Sequence, residues 1–469
     1  MKPLLASLCL AAAAALLPLA MTARAQSGIL LKTFNVKAGR LLLDPARPRL
    51  YATLPQDNSL AVIDTDTNTV VTTLLIGPNP VDLAISPDGN RLYVANSGAT
   101  YQGVGVVDLN DLTALQISLT VPARAIGIAA GLNNRLYVLT ASASNGIVQM
   151  DTSGKVQGTF GGTVYGGFLR LSPDRKTLYY GDTGLSPSTL QSFNVAGAVP
   201  SAVQTAAATG SNGQGLTVSH NGQLLVYPNA SGQGNYGTYL LPASNLSNTL
   251  GTFATGAFPG VGTFSADDGL FYQTQYGGGT NGQSAFKVFN TRNSTQVDRF
   301  VDPNPNLPNG YAPTITDLAV TAPHGYLYIA ETGSTSSTLN VAGNLELVST
   351  QRAPFFDGSV ALSGGFYYLK FADDVSFGYY NFTYSPYLYH IDLGFEYPFD
   401  AADGSGGVYL YDFKSSTFWY TSSSLFPYLY DFKLGAFLYY YPDPNTPDRY
   451  NTNGTRYFYN FATGTIITK

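Results

Sequence analysis

Apolar residues fall at alternate positions in short runs along most of the chain, and turn-forming residues close each run. Val81 to Ser86 alternates in this way, and Ser86-Pro87-Asp88-Gly89 follows with Pro and Gly where a tight reversal needs them. Leu92 to Asn96, Val104 to Asp108 and Leu115 to Thr120 then complete a set of four. Period two over such short runs predicts β-strands joined by tight turns. Gly and Pro, 50 and 27 of 469 residues, break any long helix.

The turn and the strand after it recur. Asp44-Pro45 precedes Leu50-Tyr51, Ser86-Pro87-Asp88-Gly89 precedes Leu92-Tyr93, and Gly131-Leu132-Asn133 precedes Leu136-Tyr137. Further copies place Leu178-Tyr179, Leu224-Leu225, Leu270-Phe271 and Leu327-Tyr328 after their own turns, at intervals of 42 to 57 residues. A four-stranded meander cannot bury both of its faces alone, and seven copies of this period predict the blades of a seven-bladed β-propeller.

Leu30 to Pro45 is similar to Thr72 to Pro87, which spans the end of one copy and the start of the next. Ile29 to Val36 is therefore expected to form the outer strand of the last blade, so that the N-terminal segment clasps the ring and removes an exposed edge. Ser86-Pro87-Asp88-Gly89 with Arg91-Leu92-Tyr93-Val94-Ala95-Asn96, and Leu60 to Asp64 with Thr67 to Val71, resemble the YVTN-type seven-bladed β-propellers of secreted and surface proteins. The resemblance covers about Ile29 to Thr350 and fades in copy five, where Leu225 replaces the aromatic and Pro228 sits at the strand end.

Before the first copy, residues 1–25 read as a secretory signal peptide. Lys2 precedes the apolar run Leu4 to Ala20, and Ala23-Arg24-Ala25 offers small residues for cleavage before Gln26. The one cysteine, Cys9, lies in that segment. A mature chain without it has no disulfide framework, no Cys-rich zinc module and 22 basic against 29 acidic side chains, a poor balance for nucleic acid. Three histidines leave little for a His-built metal centre, and haem or copper chemistry is disfavoured. No cofactor, no membrane span after cleavage and a monomer are the expectations.

Candidate site residues in the propeller, residues 26–353, stand at the ends of second strands. Asn96, Thr140, Asp182, Asn229, Gln275 and Glu331 are expected on a binding rim, with long Gly-, Ser- and amide-rich loops beside them and the Pro/Asn segment Asp302 to Pro313 on the same face. Asp182 and Glu331 are equivalent carboxylates, each three residues after a strand Tyr. They would be the acid and base if the propeller were an enzyme, yet copies four and seven stand nearly opposite in the ring, which favours two solvated strand ends. Asp64 to Asn68 has the alternating oxygen ligands of a calcium loop but lacks its glycine and glutamate, so a plain hairpin turn is favoured. His220 and His324 sit in inter-strand turns, and no convergent nucleophilic triad is visible.

Aromatic density separates the last part of the chain, residues 354–469: Asp357 to Lys469 holds 33 of the 61 aromatics. Four copies of a shorter unit begin at Tyr387-Leu388-Tyr389-His390, Tyr409-Leu410-Tyr411-Asp412, Tyr428-Leu429-Tyr430-Asp431 and Tyr457-Phe458-Tyr459-Asn460, with Gly365 to Val375 as a degraded first copy. Each reads as an aromatic strand, a turn and a second aromatic strand, hence a small β-hairpin repeat domain. In period and aromatic content the tail is similar to the cell-wall-binding repeats of bacterial surface proteins, although those are Trp-rich and this tail has only Trp419.

Tyr387, Tyr389, Tyr409, Tyr411, Trp419, Tyr428, Tyr430, Tyr439 and Tyr457 form the candidate aromatic surface, with rings expected on both faces of each strand and some area left exposed. The fold class is thus all-β. The functional expectation is an exported, non-enzymatic protein of the periplasm, cell surface or exterior, whose propeller binds a protein or polysaccharide and whose tail attaches it. Lactonase-like propellers share the blade count, so a hydrolase acting at the channel face is the alternative.

Overall fold

A computed structural model describes residue 28 and residues 30–469, apart from 100–102, 115, 142–145, 163–165, 184–186, 207–211, 230–236, 276–283, 302–313, 322–325, 333, 337–338, 342–343, 351–353, 357–358, 363–365, 372–374, 382–386, 402–405 and 453. The expected signal peptide at residues 1–25, much of the long rim loops, Asp302 to Pro313 and His324 lie outside these residues. Two compact units result, Gly28–Thr350 and one containing Gln351–Lys469. Among the described residues no helix is long and apolar enough to cross a membrane.

The first unit is a seven-bladed β-propeller, each blade a four-stranded antiparallel sheet. Blade 2 is built from Pro80–Ile85, Arg91–Asn96, Gly103–Asp108 and Ile117–Thr120, close to the strands expected from alternation. The last blade combines Thr314–Val320, Tyr326–Thr332 and Leu345–Ser349 with the N-terminal strand Leu30–Phe34, which pairs antiparallel with Leu345–Ser349. Ring closure therefore occurs as the internal similarity of Leu30 to Pro45 predicts.

Blade turns share one chemistry. Ser86 Oγ donates to Asp88 and accepts from the Arg91 amide, and the equivalent Ser172, Ser219 and Ser265 do the same work. A left-handed residue closes each: Gly89, Arg175, Gly222 and Asp268. Gly fits that conformation without strain, whereas Arg175 and Asp268 occupy it at a cost that their contacts to neighbouring blades offset.

Those contacts hold blade to blade. Asp82 Oδ2 accepts the Ile128 amide of blade 3 at 3.0 Å, and Asp317 Oδ2 of blade 7 accepts the Leu41 amide of blade 1 at 2.9 Å. The second-strand tyrosines extend the pattern: Tyr179 donates to Ala243 O at 3.1 Å and Tyr328 to Asn68 Oδ1 at 2.6 Å, each in the following blade. Leu225, the apolar residue of copy five, is fully buried in the same layer.

The second unit is one sheet of 12 short strands, ordered almost as the chain runs. Its four repeat hairpins use one turn. His390, Asp412, Asp431 and Asn460 each accept backbone amides two or three residues on, and Gly394, Ser416, Gly435 and Gly464 end the loops in the left-handed region. Phe366–Lys370 pairs with Ser376–Asn381, so the hairpin here runs past the expected Gly365 to Val375.

Candidate functional site

The expected rim residues are inside the blades. Asn96, Thr140, Asp182, Asn229 and Glu331 have no solvent exposure, and only Gln275 is half-buried. Each second strand is paired on one or both sides up to its last residue, as Asn96 is with Pro80 and Gly103. The side chain at that position therefore belongs to the packed ladder and not to the loop beyond it. Asn96 Nδ2 donates to Ile76 O, Thr140 Oγ1 to Gly146 O, and Asp182 Oδ2 accepts from the Tyr180 hydroxyl at 2.9 Å. Asp182 and Glu331, enclosed in blades 4 and 7, are not placed to meet a substrate as an acid and base pair.

The other candidate turns are structural as well. Asp64 Oδ1 accepts the Asp66 and Thr67 amides and the Thr67 hydroxyl, which makes Asp64 to Asn68 a hairpin turn. His220 Nδ1 lies 2.8 Å from Asp268 Oδ1, and the same carboxylate accepts the His220 and Asn221 amides, a clasp between blades 5 and 6. Among the described residues no group of three or more His, Cys, Asp or Glu could hold a metal ion.

The ring encloses a channel cavity of about 410 Å³, lined by the inner strands of all seven blades. Both of its carboxylates lie near a guanidinium: Arg170 is 3.6 Å from Asp82, and Arg40 is 3.7 Å from Asp317. Burial pushes the Asp317 carboxyl up, against the pull of Arg40. Arg175 reaches inward from the blade 4 turn and donates to Ile85 O and Ala130 O, the carbonyls at the ends of two neighbouring inner strands.

The tail presents an accessible aromatic face. On its inward face, Leu388, Leu410, Trp419, Leu429, Leu438, Tyr440 and Phe458 form one core with no solvent exposure. Outward from the same strands point Tyr389, Phe395, Tyr397, Tyr409, Tyr411, Phe418, Tyr420, Tyr430, Phe437, Tyr439 and Tyr459, with Tyr387, Tyr428 and Tyr457 among the most exposed. Rings were expected on both faces of Tyr-Leu-Tyr-Asp-Phe; instead period two places Tyr, Tyr and Phe together on one face and Leu and Asp on the other. By the same parity Trp419, between Phe418 and Tyr420, turns inward, where its indole Nε1 donates to Asp431 Oδ2 at 2.9 Å. Trp419 is thus a core residue and not part of the outward aromatic face.

Cross-strand neighbours pack ring to ring on the outer face. Tyr409 and Tyr420 are directly paired with centroids 5.3 Å apart, Tyr411 and Phe418 at 4.9 Å, Tyr430 and Phe437 at 5.1 Å, and Tyr428 and Tyr439 at 5.1 Å. At the hairpin tips Phe413, Phe432 and Phe461 stand edge-on against Tyr411, Tyr430 and Tyr459. Such pairs contribute about 0.5–1.5 kcal/mol each beyond burial, so the ladder is held rigid even where it meets solvent.

A polar cluster supports the sheet from within. Arg456 binds Asp412, Arg449 binds Asp392 at 2.8 Å, and Lys469 binds Asp431 beside Trp419. Burial and the Asp412 charge push the Glu396 carboxyl well above the usual range. Burial lowers His390 to about 4, and its neutral ring accepts the Asp392 and Leu393 amides at Nδ1 while Nε2–H donates to Phe377 O. Sequence reading left this cluster out, because its members lie up to 63 residues from their partners.

No family model matches the chain, and no curated protein matches it. Among solved structures it is similar to the hydrazine synthase of Kuenenia stuttgartiensis, at 18% identity and a TM-score of 0.44, over 65% of this chain and 95% of that one. At that identity the likeness does not extend to function.

Proposed function

We propose that this chain is an exported, non-enzymatic binding protein, a YVTN-type propeller carried on an attachment domain. The outward aromatic face of the tail carries the reading: more than a dozen Tyr and Phe rings share one accessible face of a sheet whose opposite face already supplies its core. Soluble proteins rarely leave a contiguous apolar surface of that kind without a partner. The propeller's enclosed rim carboxylates and the channel carboxylates engaged by Arg170 and Arg40 favour a scaffold or a loop-borne binding face over hydrolysis. The Ser86-Pro87-Asp88-Gly89 turn, the Arg-Leu-Tyr-Val-Ala-Asn strand and the N-terminal clasp support the YVTN-type assignment, and the Leu4 to Ala20 run supports export.

The test is sedimentation of the purified mature chain with cell-wall fractions and insoluble polysaccharides. Binding that falls when Tyr428 and Tyr457 are changed to Ser supports attachment through this face. A chain that stays in the supernatant with every solid defeats the reading.

A further inference from the structure

One charged side chain lining the propeller channel has no counterpart. Asp82 lies near Arg170 and Asp317 near Arg40, whereas Arg175 forms no ion pair with any described residue. Partial burial lowers the pKa of Arg175, with no neighbouring carboxylate to counter it. Its backbone is unusual as well: Arg175 takes a φ of +57° at the turn position that Gly89 and Gly222 hold in blades 2 and 5, where each amide bonds back to the turn serine. A long side chain kept in a conformation that favours glycine points to a use for that side chain.

The guanidinium divides its donors. Nη1 donates to both Ile85 O and Ala130 O, which pins the group at the ends of two inner strands. Nε and Nη2 form the edge that can grip a carboxylate through two parallel bonds, and they have no acceptor among the described residues. The cavity that Arg175 lines measures about 410 Å³, the size of a small-molecule site. Its walls are mostly apolar, Leu43, Ile85, Leu171 and Leu318 among them, and Thr263 lines it with a hydroxyl that bonds no described residue.

Charge and polarity together narrow the class of ligand. Arg40, Arg170 and Arg175 stand against Asp82 and Asp317, so the channel carries positive charge in excess. A neutral ligand would leave the Arg175 edge unbonded, and an inorganic oxyanion would set most of its oxygens against aliphatic walls. We propose that the channel binds a small organic carboxylate, gripped by Nε and Nη2 of Arg175, with its apolar body among the aliphatic walls. The Thr263 hydroxyl offers a further donor or acceptor for a polar group on that body. The proposal is independent of the attachment reading, which concerns the tail.

The test is ligand-observed NMR on the full mature chain, with straight-chain carboxylates from acetate to octanoate, phenylacetate and 4-bromophenylacetate, the neutral amide of each, and inorganic phosphate. At least one of the larger carboxylates is expected to bind, with its amide weaker by about tenfold or more and phosphate not competing. Arg175→Gly suits the backbone of the turn, so the variant is expected to fold and to lose carboxylate binding by about tenfold or more, while Arg175→Lys, which keeps the charge without the fork, retains part of it. A folded Arg175→Gly that binds carboxylates like wild type overturns the proposal. So do amides that bind as tightly as their acids, displacement of the acids by phosphate, and a panel in which no carboxylate binds in the millimolar range. Should Arg175→Gly not fold, judged by far-ultraviolet circular dichroism, wild-type crystals soaked with 4-bromophenylacetate decide: bromine density in the channel with the carboxylate on Arg175 supports the site, and its absence there overturns it.

Discussion

Arg456 meets Asp412 through two parallel hydrogen bonds of 2.9 Å, Nη1 to Oδ1 and Nη2 to Oδ2, with neither side chain exposed. The two residues stand on different hairpins, and Arg456 also donates to Leu393 O while its guanidinium lies 5.2 Å from the Trp419 ring centre. This one cation thus ties three hairpins of the tail together on the inward side. Removing either partner leaves a buried charge uncompensated, and Asp412→Ala or Arg456→Ala is expected to destabilise the tail by about 3–5 kcal/mol. Trp419 is the only tryptophan, so its fluorescence in a urea titration reports this unit without the propeller.

Acid and base sensitivity of the tail oppose each other. His390 titrates at about 4 in the fold against 6.5 in a free chain, so its contribution is complete above 6.5 and is lost as pH falls toward 4. Glu396 is held protonated against a usual 4.5, so its contribution is complete below 4.5 and is lost as pH rises. Each slope is at most about 1.4 kcal/mol per pH unit. Between 4.5 and 6.5 they offset one another, and Glu396→Gln is expected to expose a stability that climbs with pH through that window and then levels. Urea midpoints from pH 4 to 8, read at Trp419, check it; unchanged curvature in Glu396→Gln counts against it.

In the propeller, Asp82→Ala is expected to cost about 1–3 kcal/mol, because the Ile128 amide loses its acceptor and Arg170 loses its carboxylate. Asp82→Asn keeps the acceptor and is expected to lose less. Far-ultraviolet circular dichroism during chemical unfolding separates the two.

Ring closure makes a further demand. Tyr328 donates to Asn68 across the junction of the last and first blades, and Tyr328→Phe is expected to cost about 0.5–1.5 kcal/mol without changing the fold. Deleting residues 30–34 removes the outer strand itself and leaves Leu345–Ser349 as an open edge. That variant is expected to aggregate or lose cooperative unfolding, measured by light scattering and the width of the thermal transition.

Much of the fold is legible along the chain because its causes are local. Alternation sets strands, Ser-Pro-Asp-Gly sets a turn whose left-handed residue must be Gly or compensated, and the similarity of Leu30 to Thr72 locates the closing strand. The same parity that raises Tyr409 and Tyr411 to one face puts Leu410 and Trp419 on the other, so even the burial of Trp419 was written in the order Phe-Trp-Tyr.

What the rim residues do was not. Asn96, Asp182 and Glu331 stand at strand ends by sequence, and only the pairing of the flanking strands and the closeness of the next blade put their side chains out of solvent. Asp82 with Ile128, Tyr328 with Asn68 and Arg456 with Asp412 likewise meet across 44 to 260 residues. Local backbone geometry repeats every two residues and leaves a trace in sequence; a contact between distant strands depends on how blades and hairpins close on one another, and no short pattern records it.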